Sequence, residues 1–237
     1  MRTIFWITIK HASRDHYLLT WSIFIPLVAI ISLTYFFDFT PTITMLLAIT
    51  AISILMYGFM TTAFQILSQR RRGVYHVLRL TPMPFVHYII STACSWAFIA
   101  SLAGTIIFLL GMLFFQISIS LIALPLIIGL LFLAAVGYVN LGFLISSKAK
   151  NEGQMSIMAN VITMPLILVS DGFYNLDLAP RWVQQLARYN PFQWLLNGLR
   201  AAVEHNYHQY LLIVLFLIGF IVVSSLIAAR TFNYRID

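Results

Sequence analysis

The stretch Gln69-Arg70-Arg71-Arg72-Gly73, followed by Val77-Leu78-Arg79-Leu80-Thr81-Pro82, interrupts two long runs that contain no Asp, Glu, Lys or Arg. One run extends from Phe39 to Gln69 and the other from Leu80 to Ser147. About 20 apolar residues in a helix cross the hydrocarbon layer of a bilayer, so the first run fits one crossing and the second requires two. The second run breaks at Gln116-Ile117-Ser118-Ile119-Ser120, a polar alternation ahead of Pro125. Three further charge-free runs, His16 to Phe37, Gly153 to Ser170 and His205 to Ala229, each fit one crossing.

Six membrane helices are therefore expected, over 19–37, 42–64, 89–115, 121–145, 154–173 and 209–229. A barrel strand would alternate over about 10 residues, whereas these runs are continuous, so the fold class is an all-α polytopic membrane protein. Composition agrees. With 61% hydrophobic and 9% charged residues, a chain of 237 residues has too little polar surface to cover a soluble domain.

Orientation follows from basic residues on alternate sides of the expected spans. One side carries Arg2, Lys10, Arg14, Arg70, Arg71, Arg72, Arg79, Lys148, Lys150, Arg230 and Arg235, and the other only Arg181, Arg188 and Arg200. This bias predicts cytoplasmic N and C termini. It also explains the net charge of +7 as a topology signal and an attraction for anionic membrane lipids, with no nucleic-acid partner.

Residues 1–18 mix Ile4, Phe5, Trp6, Ile7 and Ile9 with Arg2, Lys10, His11 and Arg14, a composition suited either to a helix lying in the headgroup layer or to a plain basic stub. The expectation is no cleavable signal peptide, with the first span acting as an uncleaved signal. The single cysteine, Cys94, has no internal partner and reads as packing.

Chemistry-bearing motifs are scarce. No Gly-rich phosphate loop ending in Lys-Ser or Lys-Thr occurs, so ATP is not bound by a P-loop in this chain. His205 and His208 stand at i, i+3 with only Glu204 beside them, which reads as a polar cap on the last helix rather than a metal site. The span centres hold no acid or base, unlike most ion-coupled carriers, and this absence points to energy supplied from outside the bilayer. Small residues Ala93, Ala97 and Ser101, with Ala100 and Gly104 on the next ridge, mark a face of the third span for close helix packing. Pro165, after Asn160 and Thr163, falls mid-span in the fifth helix, where it either bends a pathway wall or is fixed structure.

Residues 176–204 are too polar to span, yet rich in interfacial side chains: Trp182, Tyr189, Phe192 and Trp194 among Arg181, Arg188 and Arg200. Pro180 and Pro191 are each placed to open a short helix. Two short re-entrant helices capping the outer side are expected within the segment 174–208.

Two blocks resemble the type 2 family of ATP-binding-cassette (ABC) export permeases. The family's first block reads Glu-Arg-x-x-Gly-Thr-Leu-Glu-x-Leu-x-x-Thr-Pro, and Arg70, Gly73, Leu78, Thr81 and Pro82 match it, while Gln69, Val74, Tyr75 and His76 depart from it. The second block appears as Pro165-Leu166, Ser170, Gly172-Phe173-Tyr174, Pro180-Arg181-Trp182, Asn190-Pro191-Phe192 and Leu199-Arg200. Here Asp171 stands where a glycine is common and Asn175 where a proline is common. The resemblance covers nearly the whole chain as one permease domain, residues 1–237.

The resemblance implies a coupling loop, residues 65–88, in which Arg70, Arg71, Arg72, Gly73, Leu78, Thr81 and Pro82 dock a separate ABC ATPase. The missing acidic residues imply a docking groove less basic than usual. ATP and Mg would be held by that partner, with no cofactor on this chain. A second copy, or a similar permease, would complete the pathway. The first, second and fifth spans would line it with Phe24, Tyr57, Phe59, Met60, Phe64, Asn160, Thr163 and Met164, a lining suited to an apolar or amphipathic substrate such as a drug, an antimicrobial peptide or a lipid-like molecule. Ser170, Gly172, Phe173, Tyr174 and Pro191 would form the outer gate. The implied location is multi-pass in a bacterial plasma membrane. Competing classes are a non-transporting sensor or resistance partner of an ATPase, an ion-coupled secondary transporter half, and a membrane-embedded enzyme, which lacks a candidate nucleophile and base.

Overall fold

The computed structural model describes residues 42–74 and 85–232, together with Trp6, residues 8–10, Phe24, Val28 and Ser32. The N-terminal interfacial segment and the first expected span therefore lie largely outside the described residues, as do Leu78, Thr81 and Pro82. The described chain is helical, with no strand among its residues.

Helix α1 (Ile43–Leu55) passes through a π-helical turn (Met56–Thr61) into α2 (Thr62–Arg71). Then follow α3 (Phe85–Phe115), α4 (Ala123–Lys148), α5 (Glu152–Leu168), the short α6 (Arg181–Ala187), α7 (Pro191–Val203) and α8 (Tyr207–Phe232). Among the described residues four helical stretches are long and apolar enough to cross a membrane: Ile43–Arg71, His87–Phe115, Ala123–Lys148 and Tyr207–Ala228.

Helix α4 is the hub, packing against α2, α3, α7, α8 and the π turn. Its small residues allow this. Ala134, Ala135, Gly137 and Gly142 are all buried, and a Cβ added at Gly142 would lie 2.9 Å from Thr62 Oγ1 and 3.1 Å from the Phe59 carbonyl oxygen. The backbone of the π turn thus rests directly on α4. On the far side of α4, Asn140 Nδ2 donates to Ser225 Oγ of α8 at 2.8 Å, a polar pairing inside the apolar bundle. The small-residue ridge of α3 is packing within the chain: Ala93, Ala97, Ala100 and Ser101 are buried, and a Cβ at Gly104 would lie 2.5 Å from Ile54 of α1.

Several expected boundaries shift. The helix of the second span continues through Arg71 and α3 begins at Phe85, so the connecting loop is shorter than 65–88. The turn is set by Gly73, whose left-handed φ of 73° follows the C-cap Arg72, a conformation that glycine adopts without a Cβ clash. The break at Gln116 is present, with φ of 54° at that residue. The fourth and last helices run beyond 121–145 and 209–229 at their C-terminal ends.

The fifth helix differs most. It starts at Glu152, capped by Asn151 whose side chain accepts from Gln154 N at 2.8 Å, and ends at Leu168 instead of 173. At 17 residues it is shorter than the four membrane-length stretches. Pro165 has no N–H to give to the Val161 carbonyl oxygen, and the helix ends one turn later, with Val169 N donating to the Pro165 carbonyl oxygen at 2.8 Å.

Candidate functional site

At the end of the molecule where α2 terminates, the basic run splits into separate tasks. Arg70 does not point to solvent. Its Nη1 donates to the carbonyl oxygens of Ser146 at 2.6 Å and Ser147 at 2.9 Å, and its Nη2 to that of Ala149. These are the last carbonyls of α4, which have no partner within their own helix, and a cation there also complements the helix dipole. Arg71 Nη1 sits 3.3 Å from Glu152 Oε1 in the first turn of α5. Gln69, one of the departures from the family block, accepts from Tyr88 OH of α3 at 2.8 Å. Three consecutive residues thereby tie the end of α2 to α4, α5 and α3. Of the expected docking residues, Arg70 is engaged inside the chain, while Arg72 and Gly73 lie at the surface beside the loop.

Beside this junction a cleft of about 380 Å³ is lined by Met60, Phe64, Gln65, Ser68, Arg72 and Glu152, among others. It brings two expected pathway residues, Met60 and Phe64, next to Arg72, one of the expected docking residues. Other expected lining residues are elsewhere. Tyr57 and Phe59 are buried, with the Tyr57 and Trp96 ring centroids 6.4 Å apart. Thr163 is also buried and its hydroxyl donates to the Ala159 carbonyl oxygen at 3.0 Å. Asn160 and Met164 are exposed on α5, and Phe24 is exposed.

At the opposite end, the residues after α5 form a second junction. Asn190 caps α7 by accepting from Phe192 N at 2.9 Å, and its amide donates to the carbonyl oxygens of Leu166 at 2.7 Å and Val169 at 2.6 Å. One buried side chain thus closes the truncated end of α5 and opens the next helix, with Pro191 at its first position. Asp171 is held from three sides. Its Oδ2 accepts from Arg200 Nη1, its Oδ1 from Gln193 Nε2 at 2.8 Å, and its backbone N–H donates to Gln193 Oε1 at 2.9 Å. Arg200 Nη2 also donates to the Asp171 carbonyl oxygen at 3.1 Å.

Among the expected gate residues, Ser170 is buried and donates to the Ile167 carbonyl oxygen at 2.6 Å. Gly172 packs near Ala48 and Leu196, and Phe173 and Tyr174 are exposed. Tyr174 OH donates to the Leu168 carbonyl oxygen at 2.6 Å. A cavity of about 570 Å³ lies between this turn and the start of α1.

Sequence reasoning missed the Asp171–Arg200 pair and the double role of Asn190. A signal existed for both: Asp171 is the only acid between Gly153 and Asn175, in a segment whose other charges include Arg200, and Asn190 stands directly before Pro191 in an N-cap pattern. His205 has a left-handed φ of 59° in the turn after α7 while His208 belongs to α8, so the two do not share a helical face. The cap of α8 is Asn206, whose Oδ1 accepts from Gln209 N at 3.2 Å. Among the described residues no three His, Cys, Asp or Glu side chains form a group able to hold a metal.

Among the described residues the arrangement consists of helix-end clasps and clefts. The family profile described as ABC-2 type transporter matches residues 1–204. A protein of Bacillus subtilis (strain 168) described as "Putative transport permease YvfS" is 23% identical over 234 residues, covering 93% of this chain and 94% of that one. Members of this family normally pair with an ABC ATPase subunit. The chain therefore belongs to the ABC-2 type transporter family, as the membrane permease of an ABC transporter.

Proposed function

We propose that this chain is one half of an ATP-driven exporter, with six spans, both termini in the cytoplasm, and a separate ATPase docked on the loop that follows Arg71. A second copy or a similar permease faces it in a bacterial plasma membrane. ATP and Mg stay in the motor subunit. The observation that carries this reading is the junction at the end of α2, where Gln69, Arg70 and Arg71 bond to α3, α4 and α5 respectively. A loop rooted there delivers a push to four helices together, as a rigid-body transition between inward and outward access requires. Arg70 acts within the junction, leaving Arg72, Gly73, Leu78, Thr81 and Pro82 to meet the motor.

The transported molecule is amphipathic. The cleft between α2 and α5 sets the apolar Met60 and Phe64 beside Gln65, Ser68, Arg72 and Glu152, a combination that accepts an apolar body with a polar end. The substrate would enter from the cytoplasm or inner leaflet and leave past the turn at Ser170 to Tyr174.

The test is co-purification with the ATPase encoded beside the gene, comparing wild type with Leu78→Asp in the loop. Wild type should retain the ATPase, and the variant should lose most of it while keeping its own melting temperature. A wild-type chain that brings down no ATPase would overturn the reading. Uptake of a fluorescent amphiphile into inverted vesicles then separates an exporter from a non-transporting partner: ATP-dependent accumulation is expected, and ATPase binding without accumulation would favour the sensor role.

A further inference from the structure

The cavity of about 570 Å³ at the Asp171 end has one acidic and one basic side chain in its lining. Both signs are present in one small space. Asp171 and Arg200 line it as an ion pair whose side chains are 22% and 24% exposed, so the pair is shielded from bulk water without being sealed off. Arg200 bonds to Asp171 through one N–H of each terminal nitrogen, and a guanidinium carries five donors, so capacity remains for an incoming acceptor. The Asp171 carboxylate is fixed in place by Gln193 and cannot swing away from a ligand. Phe173 and Tyr174 stand on the same wall, Phe173 at 61% exposed and Tyr174 steadied by its bond to the Leu168 carbonyl oxygen.

We propose that this cavity binds the headgroup of a zwitterionic phospholipid, its phosphate on the Arg200 side and its ammonium on the Asp171 side against the aromatic faces. A simple anion is drawn to Arg200 but repelled by the Asp171 carboxylate, and a simple cation meets the reverse. Only a ligand with both charges satisfies both walls, and ammonium groups are further attracted to aromatic faces. The volume falls in the range of small-molecule sites. A lipid fits better than a free zwitterion because Phe173 and Met45 extend the lining with apolar surface, next to helices of membrane length. The orientation proposed above puts this headgroup in the outer leaflet. Its binding does not depend on any ATPase.

The experiment uses the purified full chain in detergent, with binding of short-chain phosphatidylethanolamine followed by calorimetry. The comparison ligands are short-chain phosphatidylglycerol, free phosphoethanolamine and a single-chain quaternary ammonium amphiphile. Saturable binding of phosphatidylethanolamine is expected, at least about tenfold tighter than each of the other three. Phe173→Ala should weaken it about threefold to tenfold with an unchanged melting temperature, since that ring is exposed. Thr44→Val, at an exposed residue on the opposite wall, should weaken it less. Equal affinity for phosphatidylethanolamine and phosphatidylglycerol, or no effect of Phe173→Ala, overturns the proposal. Binding of free phosphoethanolamine as tight as that of the lipid assigns the site to a soluble zwitterion and overturns the lipid assignment. Because this binding is read without the motor subunit, its failure is distinct from a failure to recruit the ATPase.

Discussion

The two ends of this permease solve the same problem with different degrees of burial. Each end must close a helix whose last carbonyls have no partner within the helix, and each does so with a side chain from another helix. At the Arg70 end, one guanidinium gathers two carbonyls of α4 and that of its C-cap Ala149, and the ion pair beside it, Arg71 with Glu152, is 57% and 72% exposed. At the Asp171 end, the amide of Asn190 holds two carbonyls at the end of α5, and the ion pair beside it is less than half as exposed. The first end commits Arg70 to the chain and leaves the Arg71–Glu152 pair in the open. The second holds its charges against the protein, where they fix the shape of a turn.

The difference sets the size of mutational effects. Replacing Asn190 with Ala strips two part-buried carbonyls of a donor that is itself buried and uncaps α7, and should cost about 3 kcal/mol in denaturant unfolding, the largest effect in the set. Asn190→Asp sharpens the point. It keeps the oxygen that accepts from Phe192 N but loses both donors and turns a negative charge toward the carbonyls, so it should be no better than Ala. A stable Asn190→Asp variant would show that the α7 cap, rather than the closure of α5, dominates.

Arg70→Met comes next, at about 2 kcal/mol, because three part-buried carbonyls lose a charged donor. Arg70→Lys should recover less than half of that, since an ammonium lacks the planar fork that reaches several acceptors. Near-complete rescue by Lys would mean that charge at the end of α4, not bonding geometry, is what matters. Asp171→Asn should cost about 1 to 2 kcal/mol, as it leaves the Arg200 charge partly buried without its counterion. A double-mutant cycle with Arg200→Gln should return a coupling of similar size.

Much of this architecture is legible in the sequence and some of it is not, for physical reasons. The four membrane-length helices are legible because bilayer thickness converts directly into a count of uncharged residues, as in the run from Leu80 to Ser147 and its break at Gln116. The start of α7 is legible because Asn before Pro is a local signal. The π turn at Met56–Thr61 is hidden, since nothing in Met-Tyr-Gly-Phe-Met-Thr distinguishes a π turn from an α turn. It depends instead on the close approach of Gly142, a contact with another helix. The early end of α5 was only half legible. Pro165 is visible, but the amide that satisfies the freed carbonyls comes from Asn190, 24 residues away from Leu166. A run of arginines likewise shows charge without direction, so Arg70 read as one of three docking cations when it is committed to α4. Burial of Tyr57, Phe59 and Thr163 is hidden for a related reason: family position names a helix, and only packing says which of its faces is covered.

The smallest effect is the one that tests the comparison most directly. Arg71→Ala or Glu152→Gln should change stability by no more than about 0.5 kcal/mol, because two exposed side chains lose as much in ordering and hydration as their attraction returns. The coupling between them should vanish in high salt, whereas that between Asp171 and Arg200 should persist, being partly shielded from mobile ions. If the Arg71–Glu152 coupling equals or exceeds the Asp171–Arg200 coupling at physiological ionic strength, then exposure does not separate the two ends. In that case the Arg71 end is a rigid structural clasp, and the docking surface must begin further along the loop, at Arg72 and Gly73. If the coupling is negligible in the isolated permease but rises when the ATPase is bound, Arg71 and Glu152 are ordered by the motor, and the open end of the molecule is the one that reports motor engagement to α5.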